Sequence, residues 1–190
     1  MCAAFERMGR IVFSADAIAR ALTLEDPSVR HEILESFGPA IVLPSGGLDR
    51  KALATVVFSD PAARLRLNAI VHPRVFSALA GALASFSPDR LIPYAIIEAA
   101  LIYESGMDTL LDYVIVVDAP EEERIRRTIE RDRCTREEVA ARIGSQMSVH
   151  TKRLRADFIF ENVGAMAGLE DRISFLDILL TTIGGNRRND

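Results

Sequence analysis

This sequence predicts a doubly wound α/β fold, a parallel sheet with helices on both faces. Leu91–Ile97 and Tyr113–Asp118 are nearly continuous apolar runs, the pattern of strands covered on both faces rather than half exposed. Longer helical patterns separate such runs, as crossover connections between parallel strands require. Size agrees: 190 residues, 49% of them hydrophobic, suffice for one domain with a proper core.

The elements follow in order. Arg10–Ser14 reads as a short buried strand, and a helix begins in Asp16–Leu22. Met1–Met8 has the character of a helix body. Val29–Phe37 is helical and stops at Gly38-Pro39, a breaker pair. After a turn over residues 44–47, Asp49 caps a helix across Arg50–Phe58. Asp60 followed by Pro61 is a second cap and starts a helix toward Val71. His72-Pro73 is expected to interrupt that helix, because proline removes a backbone donor and disfavours helix at the residue before it. The helical pattern then resumes toward Phe86. Beyond the two clear strands, a charged helix runs from Pro120 toward Arg131. Thr135, with Glu138 three residues on, caps another over Thr135–Met147. Asp157–Phe160 is a last short strand, Gly168–Ile183 an amphipathic helix, and 184–190 a frayed tail.

Composition narrows the function. With 23 basic and 27 acidic side chains the formal charge is −4, which argues against a dedicated nucleic-acid binder. Cys2 and Cys134 have no CxxC spacing, so neither a disulfide framework nor a protein-held metal is expected. The apolar runs fall short of the ~20 residues that span a bilayer, and no charged-then-apolar leader opens the chain. A soluble, cytoplasmic protein with no membrane partner is the expectation.

Several groups are candidates for chemistry. Asp16 lies just past the Arg10–Ser14 strand, at the edge where open α/β sheets bind ligands, and Arg20 is one helical turn on. Spacing alone equally allows a helix cap with an ion pair. Glu98 and Glu104 follow the Leu91–Ile97 strand, and His72 precedes Pro73; each fits a substrate contact or a structural bond. The densest signal is the arginine run of 124–133, where Arg127 and Arg131 share a helical face and Arg136 and Arg142 follow. Guanidinium groups suit a polyphosphate because they grip phosphate oxygens in a fixed fork. The interleaved Glu121, Glu122, Glu123, Glu130 and Asp132 equally allow a salt-bridged surface.

Taken together, these segments resemble the dephospho-coenzyme A kinases, P-loop kinases of the nucleoside monophosphate kinase type. Ser14 to Arg20 (SADAIAR) resembles that family's D-A-D-x-I-A-R, and Leu67 to Pro73 its L-N-x-x-x-H-P. Ala100 to Glu104 (ALIYE) resembles P-L-L-F-E, Arg127 to Asp132 resembles R-x-x-x-R-D, and Ala156 to Gly164 resembles A-D-x-x-I-x-N-x-G. The five occur in order along nearly the entire chain. The resemblance implies phosphorylation of the ribose 3′-hydroxyl of dephospho-coenzyme A by ATP with Mg²⁺. It implies Asp16 as proton acceptor, with Arg20, His72 and Glu104 on the acceptor side in a helical region of about residues 23–88. Arg127 and Arg131 would neutralise the transferred phosphoryl group. Residues 127–150, with Arg136, Arg142 and Gln146, would form a lid that excludes water, and Asn162 and Gly164 would lie by the adenine.

Ser14 and Ala100 depart from the family's aspartate and proline. A larger departure lies at the front. The family opens with a strand and a G-x-x-x-x-G-K-[ST] loop, and these 190 residues contain neither. That loop supplies the amides, lysine and hydroxyl that hold the β- and γ-phosphates. The polypeptide as written is therefore expected not to transfer phosphate, and in-frame upstream codons are expected to encode the strand and loop. The absent strand is central in that fold, so its neighbours should face a gap. The alternatives are a non-catalytic remnant that binds a nucleotide or a coenzyme A-like ligand, and another small-metabolite kinase of the same fold.

Overall fold

The computed structural model describes residues 1–85, 93–163 and 166–186. Helix α1 (Cys2–Arg7) leads into β1 (Ile11–Ser14), followed by α2 (Ala15–Glu25), α3 (Pro27–Phe37), α4 (Arg50–Ser59) and α5 (Pro61–Ala84). Strand β2 (Ala95–Glu98) precedes the short α6 (Ile102–Ser105), and β3 (Ile115–Asp118) leads to α7 (Glu121–Asp132), α8 (Arg136–Gly144) and α9 (Val149–Arg155). Strand β4 (Phe158–Glu161) and α10 (Met166–Asn186) complete the order. Leu91 and Ile92 of the expected strand, and residues 187–190 of the expected tail, lie outside the described residues. The part of that tail that is described is not frayed, because α10 continues to Asn186.

Side-chain caps set most of the helix starts. Asp26, Asp49 and Asp60 each accept backbone N–H bonds at the first turns of α3, α4 and α5. Thr135 and Glu138 form the expected reciprocal box on α8, which ends at Gly144 rather than Met147. Ser14, not Asp16, caps α2, since its hydroxyl accepts from the N–H of Ala17. Asp16 is thus not the cap of this helix. Helix α9 escaped the sequence reading, although Ser148 caps it in the ordinary way.

The expected break at His72-Pro73 is not there. Helix α5 runs through Pro73 without ending. An interior proline costs a helix about 3 kcal/mol, yet Ile70, Val71, Val75 and Leu79 on both sides of it are buried in one apolar cluster. Burying each such side chain contributes about 1.5–3 kcal/mol, so packing outweighs the lost bond. The Arg74 guanidinium also donates to the Ile70 carbonyl at 2.6 Å, a side-chain bond one residue past the Ala69 carbonyl that the proline leaves without its helical donor. At 24 residues α5 is long enough to cross a bilayer, but that buried face packs within the protein's own core.

Two hydrophobic clusters organise the molecule. One joins α2, α3, α4 and α5 around Val29, Ile33, Ile41 and Leu53. The other packs Phe5 of α1 and Ile173, Leu176 and Leu180 of α10 against the strands. Arg10, at the foot of β1, makes two bonds of 2.6 and 2.8 Å to the Asp177 carboxylate, and the Tyr94 hydroxyl donates to the same group.

Among the described residues both ladders between named strands are parallel, as the apolar runs imply. Strand β1 pairs with β2, placing Ser14 opposite Glu98, and β3 pairs with β4, placing Asp118 opposite Glu161. Among the described residues no ladder joins β2 to β3. A cavity of about 700 Å³ lies between these strands, at the place where a gap was expected.

Candidate active site

Beyond the ends of β1 and β2 lies a cavity of about 320 Å³. Asp16 and Arg20 reach it from the first turns of α2, and His72 reaches it from the middle of α5. The tight step from β1 through Ser14 into α2 puts Asp16 at the strand's carboxyl edge, as the sequence order implied. Apolar side chains such as Leu53, Val57 and Phe76 supply much of the wall.

The electrostatics at Asp16 favour a proton acceptor. Partial burial raises its pKa above the ordinary carboxylate range, and the negative charge of Glu98 adds to the rise. The N–H of Ala100 and the charge of Arg131 oppose it. Glu98 itself accepts a 2.8 Å bond from the Ser14 hydroxyl across the β1–β2 pair. Serine at that position thus gives Glu98 a donor, where an aspartate would add a third carboxylate.

His72 is held neutral, because burial lowers its pKa, and its ring stacks on Phe76 with centroids 6.2 Å apart. Arg20 makes no ion pair among the described residues, nor does Arg50, which lines the same cavity from the first turn of α4. Arg50 was not singled out from the sequence; nothing in its local pattern marks it. Asn68, also in the lining, was not singled out either, although its place four residues before His72 on the same face of α5 could have marked it.

Glu104 sits elsewhere. Its carboxylate accepts from the Met147 N–H at 2.7 Å and pairs with Lys152 at 3.0 Å, and it does not line the Asp16 cavity. Lys152 also donates to the Ala100 carbonyl at 2.8 Å. Together they clasp α6 and the end of β2 to the α8–α9 connection.

Arg124, Arg126, Arg127 and Arg131 of the arginine run are ion-paired. Glu123 accepts from both Arg126 and Arg127 at 2.8 Å, which holds its carboxyl down at about 2. Asp132 is held at about 2 by Arg131 and Arg142. Arg136 bridges to Glu122 at 2.6 Å and so ties α8 to α7. Arg131 of this run is electrostatically coupled to the Asp16 site, through Asp16 and Glu98. The structure thus shows the salt-bridged arrangement.

Gln146 lines the wider cavity between β2 and β3. At the end of β4, the Asn162 N–H donates to the Asp118 carbonyl at 2.6 Å. Arg172 clamps the same loop, donating to the Glu161 and Val163 carbonyls at 2.7 and 2.6 Å. Gly164 lies outside the described residues.

Comparison with known proteins agrees with this geometry. The family described as dephospho-CoA kinase matches residues 1–168. The chain is 42% identical over 168 residues to a dephospho-CoA kinase of Anaeromyxobacter dehalogenans, covering 87% of this chain and 79% of that one. It is 38% identical over 184 residues to that of Thiobacillus denitrificans, covering 96% and 89%. A solved structure from Thermus thermophilus superposes with a TM-score of 0.76 at 35% identity, covering 95% of this chain and 88% of that one. The dephospho-CoA kinase of Campylobacter jejuni does so with a TM-score of 0.65 at 26% identity, covering 96% and 89%. With its strand–helix order, parallel pairing and relatives in agreement, this chain belongs to the dephospho-CoA kinase family, kinases that transfer phosphate to an alcohol acceptor.

Proposed function

We propose that the protein acts in the cytoplasm on dephospho-CoA, with MgATP as phosphate donor, and that the 320 Å³ cavity holds the acceptor. One observation carries this reading: Asp16 and Arg20 of α2 and His72 of α5, far apart in sequence, line one cavity at the carboxyl end of the sheet. Asp16 accepts the proton of the ribose 3′-hydroxyl as its oxygen bonds to the γ-phosphorus and the bridge to the β-phosphate breaks. Arg20 and Arg50, unpaired among the described residues, meet the acceptor's phosphates. Neutral His72 offers the substrate a hydrogen bond without adding charge.

Arg127 and Arg131 serve the transferred phosphoryl group once the nucleotide displaces their carboxylate partners, and Arg136, Arg142 and Gln146 move with the lid. Glu104 acts at one remove, as the lid's anchor through Met147 and Lys152. Asn162 borders the adenine, and the family resemblance alone assigns Gly164 to the same site. Magnesium would be held by the phosphates of ATP and would offset their charge there.

These 190 residues carry no G-x-x-x-x-G-K-[ST] run. The reading therefore includes a condition: this polypeptide binds the acceptor, and transfer requires such a loop joined ahead of α1. Two forms test it, the chain as given and the same chain preceded by a strand and that loop. Calorimetry with dephospho-CoA should show binding to both, and a coupled ADP assay should show turnover in the second form alone. No acceptor binding by either form would overturn the reading.

A further inference from the structure

A chain of contacts leads from α9 to the candidate proton acceptor. The Lys152 ammonium of α9 pairs with Glu104 of α6 at 3.0 Å and donates to the Ala100 carbonyl at 2.8 Å. The Met147 N–H donates to the same Glu104 carboxylate at 2.7 Å, so the pair is held from both sides. The side chains of Lys152 and Glu104 are only 15% and 19% exposed, which limits the solvent screening that makes surface pairs weak. Lys51 and Lys152 are the only lysines in a chain rich in arginine. A compact ammonium with rotatable donors can serve a carboxylate and a carbonyl at once. Ala100 itself sits in the bend after β2, between Ala99 and Leu101, which line the Asp16 cavity. Its N–H reaches the Asp16 carboxylate as a hydrogen-bond donor, while Lys152 holds its carbonyl. The P-L-L-F-E motif that this segment resembles has proline here, which would have no N–H to offer.

We propose that Lys152 is a positioning residue for Asp16: by holding the Ala100 carbonyl, it keeps the Ala100 N–H turned toward the Asp16 carboxylate. This role deepens the reading of Asp16 as proton acceptor and rests on it. A donor aimed at the carboxylate favours its ionised form, the form that accepts a proton, and so offsets part of what burial and Glu98 cost. The other charged and titratable groups around Asp16 are Glu98 at the end of β2 and Arg131 of α7. Arg20 of α2, Arg50 of α4 and His72 of α5 share its cavity. Lys152 differs from all of these in acting through the backbone of Ala100 rather than on the carboxylate itself.

The test is an NMR titration of the Asp16 carboxyl in the full chain, its signal assigned through Asp16→Asn. Lys152→Met keeps the length of the side chain and removes the ammonium. It should raise the proton affinity of Asp16 roughly three- to tenfold, because a charge-assisted hydrogen bond to the carboxylate is weakened. Ala100→Pro should raise it comparably, and the double variant should add little, since both changes remove the same contact. An unmoved titration in Lys152→Met would overturn the proposal. So would full additivity in the double variant, because Lys152 would then act by its charge alone. The wild-type chain gives a check that needs no variant to fold: the Ala100 amide resonance should follow the Asp16 midpoint, and an amide that ignores it would overturn the proposal. In the form carrying the phosphate loop, the acid limb of the kcat profile should move to higher pH in Lys152→Met by the same factor. A titration that moves while the rate profile does not would leave Lys152 in its place beside Asp16 and remove Asp16 from the reaction.

Discussion

Asp16 pays in stability for what it offers in chemistry. Its raised pKa means that folding favours the protonated form more than the unfolded chain does, so ionisation at neutral pH is mildly destabilising. Asp16→Asn should leave the fold intact or slightly firmer, and in the loop-bearing form should lower kcat by about 10²–10⁴, as loss of a general base does. In that form the wild-type rate should fall as pH drops through a value above the ordinary carboxylate range, because only the ionised form accepts a proton. Unchanged turnover in the variant would remove Asp16 from its role. Asp177 shows the opposite sign. Arg10 and Tyr94 hold its carboxyl below its usual range, so its contribution is present at neutral pH and is lost as pH falls through the lowered value. Asp177→Ala should cost about 3 kcal/mol by urea unfolding at pH 7, since it strands a mostly buried guanidinium, and the difference from wild type should shrink in acid.

Among the elements, legibility followed local chemistry. Asp49, Asp60 and the Thr135–Glu138 pair announce their helices because a cap is a contact within one turn. The unbroken α5 was not legible, because what carries it through Pro73 is burial of Ile70, Val71, Val75 and Leu79 against helices distant in sequence. The missing donor is still a strain on the helix. Pro73→Ala should therefore raise stability by about 1–3 kcal/mol in urea unfolding, and a loss would show that the proline shapes the packing. Helix α10 has the reverse sensitivity. A Cβ at Gly184 would stand 2.5 Å from the Pro93 carbonyl, so Gly184→Ala must push α10 away from the chain entering β2. A fall in melting temperature matching about 1–3 kcal/mol is expected. The arginines of α7 and α8 are the unresolved reading at this scale: sequence showed both the cations and their carboxylates, and only geometry showed them joined.

At the scale of the molecule, the parallel α/β plan was visible in two apolar runs, and the space between β2 and β3 was expected from the family resemblance. The division into two clusters was not visible, since no composition shift marks it. That division makes a prediction about ligand binding. The acceptor cavity is walled by Leu53, Val71, Val75 and Met107, all members of the cluster that joins α2 to α5. The cluster of α1 and α10 touches the other cavity instead, through Phe5 and Leu180. A ligand that binds only the folded chain stabilises it by about 2.7 kcal/mol at a hundred times its dissociation constant. Dephospho-CoA at that excess should raise the melting temperature and slow amide exchange in α2, α4 and α5. Exchange in α10 should slow only where it reports global unfolding. Arg20→Ala combined with Arg50→Ala should abolish both effects without lowering the melting temperature of the free chain, because neither guanidinium is ion-paired among the described residues. Equal protection across both clusters would mean that the two behave as one cooperative unit. Protection confined to α1 and α10 would place the acceptor in the wrong cavity.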